Sequence, residues 1–139
     1  MSHLFAFDYH NPTRIVFGPD SFAQLPALLP AEARVLLLYG GGSIKKNGVY
    51  DGIRAALAGC DVVEFGGVEA NPTLATLDRA VDLVRREKIG FILGVGGGSV
   101  ADGAKYVACA ALYDGDGWDI VIGKHQPQQA LPVGVVLTL

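Results

Sequence analysis

Two glycine-rich stretches carry the residues of this sequence best suited to chemistry. Gly96-Gly97-Gly98-Ser99 follows the apolar run 91–95 and precedes a helix-forming segment. Gly40-Gly41-Gly42-Ser43 follows the apolar run 35–39 in the same way. Glycine turns without side chains let backbone N–H groups approach an anion at the positive end of a helix dipole. Two such turns predict a ligand with more than one phosphate group, such as a dinucleotide.

Each glycine turn also admits a structural interpretation, because glycine permits close packing of a helix against a strand. Two turns at matching strand ends favour phosphate binding over packing alone. Neither stretch has the G-x-G-x-x-G spacing of the common dinucleotide fingerprint. Neither fits G-x-x-x-x-G-K-[ST], because no Lys-Ser/Thr pair closes the loop after Ser43. A P-loop kinase or GTPase is therefore disfavoured.

The residues after the first glycine turn bear on the choice between NAD and NADP. NAD sites usually place a carboxylate near the adenosine ribose, where it accepts a hydrogen bond from the 2′-hydroxyl. Here the sequence has Ser43 followed by Lys45 and Lys46. A small hydroxyl and positive charge suit a 2′-phosphate, which carries about −1.5 to −2 charges. The pattern predicts NADP, with a solvated first helical turn as the alternative.

Asp102 lies three residues beyond Ser99 and is expected in the first turn of the following helix. There a carboxylate favours the helix dipole and can accept hydrogen bonds from loop N–H groups. A structural role is favoured over a direct role beside a substrate. Lys105, three residues further on, is expected to pair with Asp102.

The histidines and cysteines indicate no metal site. His3, His10 and His125 lie far apart in segments that resemble loops or termini. Cys60 and Cys109 stand in apolar runs and are expected to be reduced core thiols. No zinc-type spacing and no Ser-His-Asp or Cys-His arrangement can be assembled from these residues.

Secondary-structure elements must position these residues, and the sequence alternates apolar runs, typical of strands, with amphipathic segments, typical of helices. Strands are predicted at 14–17, 34–39, 61–65, 89–95 and 131–139. Helices are predicted at 20–29, at 47–58, from 71–73 onward, where Thr73 precedes an apolar stripe, and at 100–112, with a loop at 113–129. This alternation predicts an α/β fold with a parallel sheet and flanking helices. Ligands of such sheets bind at the carboxyl ends of the strands, where both glycine turns lie.

Length and composition favour one folded domain, residues 1–139. The chain has 50% hydrophobic and 18% charged residues and a net charge of −3. It lacks the dense basic patch of a nucleic-acid-binding protein and any apolar run long enough to cross a membrane. No secretory signal pattern is present, so a cytoplasmic location is expected. The last predicted strand ends without a cap, so the chain is expected to be the amino-terminal piece of something longer.

These residues together resemble the amino-terminal domain of the metal-dependent (iron-containing, group III) alcohol dehydrogenases. The resemblance is strongest to the NADPH-dependent butanol dehydrogenase or aldehyde reductase branch. The matching stretches span nearly the whole chain in order: 11–18, 39–46, 66–72, 95–103 and 131–139.

The resemblance implies a Rossmann-like NADP domain, with the family's helical metal domain absent from this chain. The implied pyrophosphate contacts are Gly96, Gly97, Gly98 and Ser99. Gly40, Gly41, Gly42, Ser43 and Lys46 would lie near the adenosine part, and Asn71, Asp102 and Thr138 would line or border the cleft.

The family binds its divalent metal through one Asp and three His residues of the helical half, and none of those positions exists here. The metal, iron, zinc or similar, would polarise the carbonyl of an aldehyde that accepts hydride from NADPH. The resemblance therefore implies nucleotide binding without turnover by this chain and no catalytic residue within it. It also implies a homodimer for the whole enzyme.

Two other interpretations remain open. A dehydroquinate-synthase-like lyase domain would use NAD and would be expected to carry an acidic residue near position 43, where this chain has Ser43. A non-catalytic nucleotide-binding module, complete at residue 139, is the other.

Overall fold

A computed structural model describes residues 5–138 and has a four-stranded parallel sheet at its centre. The strands are β1 (Val35–Tyr39), β2 (Val62–Phe65), β3 (Phe91–Gly96) and β4 (Val133–Leu137). Their order in the sheet is β2-β1-β3-β4. The chain leaves β1 toward β2 on one side and returns to β3 on the other, so a topological switch point lies between β1 and β3.

The central strands are continuous apolar runs because helices cover both faces of the sheet. All residues of β1 and β3 are buried. Val35 pairs with Val62 on one side and with Phe91 on the other, so the strands begin at one level. The predicted parallel sheet is confirmed.

Six α-helices flank the sheet in the described part of the chain. They are α1 (Leu25–Leu28), which follows a 3-10 turn (Ser21–Gln24), α2 (Ser43–Lys46), α3 (Val49–Ala56), α4 (Leu74–Arg86), α5 (Gly98–Ala110) and α6 (Trp118–Val121). Apolar residues of α4 and α5 pack on one face, around Leu36, Leu38 and Ile92. Those of α1, α2 and α3 pack on the other, around Leu37 and Leu93.

The two long helices are capped by side chains. Thr73 precedes α4, and its Oγ1 accepts a hydrogen bond from the Thr76 N–H at 3.3 Å. Arg85, in the last turn of α4, donates to the carbonyl groups of Ala110, Ala111 and Tyr113 at 2.9, 3.2 and 2.6 Å. Arg85 therefore adds a charged donor to carbonyl groups at and just after the end of α5, of which that of Ala110 also accepts from the Tyr113 N–H at 3.1 Å.

The predicted strand at 14–17 is wrong. This segment pairs with no strand, and Ile15 and Phe17 are 82% and 99% exposed. The Asn11 side chain accepts a hydrogen bond from the Thr13 N–H at 2.9 Å, which forms a local turn. β-branched and aromatic residues such as Ile15, Val16 and Phe17 favour an extended chain, but a strand also needs a neighbour, and none lies beside this segment in the described residues.

Other element boundaries also differ from the sequence prediction. The helix predicted at 47–58 is the shorter α3, which begins only after Gly48, a residue with a left-handed φ of 82°; the short helix α2 before it was not predicted. The segment 113–129, predicted as a loop, contains the short helix α6, whose first residue Trp118 is 48% exposed. Helix α5 begins at Gly98, two residues earlier than predicted.

The two cysteines lie nearer to the surface than the sequence predicts. Cys60 and Cys109 are free thiols, although each is partly exposed rather than within the core. All helices between residues 5 and 138 flank this one sheet, and none of them forms a separate helical domain. None of the described helices is long and apolar enough to cross a lipid bilayer.

Candidate functional site

A cleft of about 280 Å³ lies at the carboxyl ends of β1 and β3, at the topological switch point. Open α/β sheets bind ligands at this position, because the loops diverge there. Residues of both glycine turns and of the segment after β2 line the cleft: Gly40, Gly42, Ser43, Ile44, Val68, Ala70, Val95, Gly96, Gly97, Gly98, Ser99 and Val100.

Two cleft glycines are required by packing within the chain. A Cβ atom at Gly96 would lie 2.8 Å from Val100 Cγ2, and Gly96 has a φ of 153° that side chains rarely allow. A Cβ atom at Gly40 would lie 3.2 Å from the Val68 carbonyl oxygen. At these two positions, the structural interpretation of the glycine turns holds.

At the other glycines of the two turns, no contact within the chain requires the absence of a side chain. A Cβ atom at Gly98 or at Gly41 would meet no heavy atom within 4 Å, and at Gly97 it would make only ordinary contact with the Thr138 carbonyl oxygen at 3.7 Å. Gly42 also has open space, although its φ of 112° favours glycine. At Gly98 and Gly41, packing within this chain does not account for the missing side chain.

The start of α5 presents amide groups to the cleft. The N–H of Ala101 donates to the Gly97 carbonyl at 3.1 Å, which is the first α-helical hydrogen bond of α5. The amides before Ala101 therefore lack partners within the helix and carry its partial positive charge. The first turns of α5 and of α2 contain no acidic side chain. This edge of the sheet favours an anion.

Ser99 lies in the first turn of α5 and contacts a neighbouring loop. The backbone N–H of Asn71 donates to Ser99 Oγ at 3.3 Å. Asn71 adopts a left-handed φ of 51°. Because Ser99 Oγ accepts this hydrogen bond, its own hydroxyl proton is free of Asn71 and available to donate elsewhere. The structure thus brings together Asn71 and Ser99, which are 28 residues apart.

The segment after β2 forms one wall of the cleft and is fixed to β1. The Gly67 N–H donates to the Gly40 carbonyl at 3.0 Å, and the Val68 N–H donates to the Tyr39 carbonyl at 3.1 Å. Val68 and Ala70 line the cleft. We call residues 66–73 the cleft wall.

Glu69 ties the cleft wall to the start of α4, a role that the sequence prediction missed. Its carboxylate accepts hydrogen bonds from the Thr73 N–H at 2.7 Å and from Thr76 Oγ1 at 3.0 Å. Hydrogen bonds from the Thr73 backbone, and then from the Thr73 and Thr76 hydroxyls, lower the pKa of Glu69 from 4.5 to about 2. The only sequence signal is an acidic residue four positions before the Thr73 helix cap.

Lys45 and Lys46, which follow the first glycine turn, have different surroundings. Lys45 Nζ lies 5.2 Å from the ring centre of Tyr39 and 4.9 Å from that of Tyr50, within cation–π distance. Interaction with Tyr39 is the main cause that raises the pKa of Lys45. Ser43 lines the cleft, whereas Lys46 is exposed in the last turn of α2 and is not among the lining residues.

The acidic side chains near the cleft are engaged within the chain. Glu64 of β2 accepts a hydrogen bond from the Tyr50 hydroxyl at 3.0 Å. Asp102 lies beyond the first turn of α5, contrary to the sequence prediction, because the helix begins at Gly98. Its carboxylate pairs with Lys105 Nζ at 3.6 Å, as predicted, and it is not a lining residue.

Thr138 follows β4 beside the second glycine turn. Its N–H donates to the Gly96 carbonyl at 2.9 Å. This hydrogen bond extends the pairing of β4 with β3 to the edge of the cleft.

No group of three or more His, Cys, Asp or Glu side chains between residues 5 and 138 could hold a metal ion. The family resemblance places the ligands of the divalent metal in the helical half, and the described residues offer no site for that metal.

A doubly wound parallel sheet, with a glycine-lined cleft at its switch point, defines a Rossmann-like α/β domain. The family model of the iron-containing alcohol dehydrogenases matches residues 12–139. The chain belongs to the iron-containing alcohol dehydrogenase family, and it fits the amino-terminal part of its members.

The relatives support this assignment in sequence and in structure. NADPH-dependent aldehyde reductase YqhD of Escherichia coli K12 is 52% identical over 136 residues, which cover 96% of this chain and 35% of YqhD. A crystal structure of E. coli YqhD matches 96% of this chain and 35% of that chain, with a TM-score of 0.91. NADH-dependent butanol dehydrogenase A of Thermotoga maritima, 48% identical, has the same coverage and a TM-score of 0.89. The chain thus spans about a third of the length of these relatives.

Proposed function

We propose that this chain is the NADP(H)-binding part of an alcohol dehydrogenase or aldehyde reductase, which transfers hydride between NADPH and an aldehyde or alcohol. The observation that carries the proposal is the space beside Gly98 and Gly41. Gly98 lines the switch-point cleft, Gly41 belongs to the other turn without being a lining residue, and at neither position does packing within this chain need glycine.

The pyrophosphate is assigned to the turn at Gly96, Gly97, Gly98 and Ser99. Helix amides and a hydroxyl are suitable donors for phosphate oxygens, and each helix-dipole contact contributes about 0.3–2 kcal/mol. Asn71 and Thr138 border this turn through their contacts with Ser99 and Gly96. Asp102 is assigned a supporting role, because its carboxylate faces Lys105.

The adenosine part is assigned to Gly40, Gly41, Gly42 and Ser43, with Lys46 nearby as a flexible positive charge. NADP is favoured over NAD because no acidic residue lies in the first turn of α2. Glu64 and Glu69, the carboxylates in and after β2, already accept hydrogen bonds from the chain itself. Relatives named for NADPH and for NADH both match at similar identity, so overall identity does not decide the preference, and we assign it to residues near the ribose.

The remaining parts of the reaction are assigned to the whole enzyme. A divalent metal held outside this chain would polarise the substrate carbonyl. The chain itself binds and orients the nucleotide, and in isolation we expect binding without turnover. For the whole enzyme we propose a homodimer.

Titration of the chain with NADPH and with NADH, followed by nucleotide fluorescence, tests the proposal. Ser43→Asp should weaken NADPH binding about tenfold, the effect of about 1.4 kcal/mol, because a carboxylate repels the 2′-phosphate. NADH affinity should be unchanged or improved. Ser21→Asp, which adds the same charge away from the cleft, is the control. An unchanged NADPH/NADH ratio in Ser43→Asp contradicts the NADP assignment, and no binding of either nucleotide contradicts the proposal as a whole.

A further inference from the structure

We propose that Glu69 is a positioning residue of the nucleotide site, which holds Asn71 so that the Ser99 hydroxyl is oriented toward the cleft. This inference rests on the proposed nucleotide binding and names a residue on which that binding depends.

The first step is the direction of the Glu69 side chain. Its neighbours in the cleft wall, Val68 and Ala70, line the cleft. The Glu69 carboxylate instead reaches Thr73 and Thr76 at the start of α4, at 2.7 and 3.0 Å. A charged acceptor at a helix start satisfies N–H groups without helical partners and favours the helix dipole. The carboxylate is thus committed to the helix rather than to a ligand.

The second step is the loop that these contacts close. Glu69 and Thr73 bracket Asn71, and the 2.7 Å hydrogen bond joins the two ends of this short loop. Asn71 is held at a φ of 51°, a conformation that few non-glycine residues adopt. The Glu69 contacts therefore stabilise the turn that aims the Asn71 N–H.

The third step connects the loop with the cleft. The Asn71 N–H donates to Ser99 Oγ, and Ser99 lines the cleft in the first turn of α5. With one lone pair of Oγ engaged by Asn71, the hydroxyl proton must point in another direction. A phosphate oxygen in the cleft would be its acceptor. Loss of the Asn71 donor would let the Ser99 hydroxyl rotate, and binding would then have to order it again.

The test is a double-mutant cycle on NADPH affinity with the variants Glu69→Ala, Ser99→Ala and their combination. Glu69→Ala should weaken NADPH binding about tenfold. In the Ser99→Ala background, the same substitution should change affinity less than about twofold, because its effect passes through the hydroxyl. Glu69→Gln keeps an oxygen acceptor for the Thr73 N–H and should retain affinity within about threefold of the unsubstituted chain.

Controls separate positioning from general loss of stability. Arg85→Ala removes the side chain that caps the far end of α5, so it should lower stability and leave NADPH affinity unchanged. Amide hydrogen exchange at Asn71 should become faster in Glu69→Ala and remain slow in Ser21→Asp. NADPH affinity and amide exchange at Asn71 are both measured on the folded chain, so a lower melting temperature alone would not produce the expected pattern.

The outcomes distinguish this role from the proposed function. Equal losses for Glu69→Ala in both backgrounds, or no loss while Ser99→Ala weakens binding, overturn the positioning role alone. A chain that binds neither NADPH nor NADH overturns the proposed function and this role with it.

Discussion

Gly98→Val is the sharpest perturbation of the cleft that the chain allows. A Cβ atom at Gly98 meets no heavy atom within 4 Å, and the backbone there is helical. The unliganded chain should therefore tolerate valine with a change in stability of about 0.5 kcal/mol or less, as at most open surface positions. The added methyl groups instead occupy the space in which the pyrophosphate is proposed to lie.

The expected loss of affinity follows from the amides at the start of α5. A hydrogen bond to a charged group contributes about 1.5–3 kcal/mol. If valine prevents two such bonds, the loss is about 3–6 kcal/mol, which corresponds to a more than hundredfold increase in the Kd of both NADPH and NADH.

The assay is a fluorescence titration with both nucleotides, with Gly59→Val as the matched control. Gly59 also has no heavy atom within 4 Å of an added Cβ and lies outside the cleft lining. Gly59→Val should leave both Kd values unchanged, and urea unfolding should show that both variants fold. Native-like affinity in a folded Gly98→Val variant would refute the assignment of this turn to phosphate.

Two further predictions concern stability. The pKa of Glu69 is about 2 in the folded chain, below its usual 4.5, so its contribution to stability is full above about pH 4.5 and is lost as pH falls toward 2. Urea midpoints between pH 6 and 2.5 should therefore fall more steeply for the unsubstituted chain than for Glu69→Gln; parallel curves would contradict the hydrogen bonds to Glu69. Arg85→Ala should lower the free energy of unfolding by about 1–3 kcal/mol, because three carbonyl groups lose a charged donor. A urea midpoint equal to that of the unsubstituted chain would show that water replaces the guanidinium without loss.

The central sheet could be predicted because its signals are local and strong. Strands β1 and β3 are unbroken apolar runs, and only a parallel sheet covered on both faces buries them completely. The glycine turns follow directly in the sequence, so the cleft at the switch point could also be anticipated.

The parts that the sequence did not predict depend on contacts between distant residues or on small backbone differences. The segment 14–17 has a strand pattern without a neighbouring strand, and pairing cannot be read from one segment. The left-handed Gly48 separates α3 from the short helix α2, which the sequence pattern did not indicate. The Asn71 N–H contacts Ser99 because the sheet brings the ends of β2 and β3 to the same edge. Glu69 closes the loop that holds Asn71. No local sequence pattern encodes the contact between Asn71 and Ser99.

Strand β4 has a consequence for handling the chain in solution. In the described residues it pairs only with β3, so its outer side presents unpaired N–H and C=O groups, and Val135 and Leu137 are 42% and 60% exposed. A bare apolar edge of this kind is a template for strands of other molecules and promotes aggregation. A concentrated sample of residues 1–139 alone should therefore self-associate through this edge, and Val135→Lys should keep it dispersed without disturbing the nucleotide cleft.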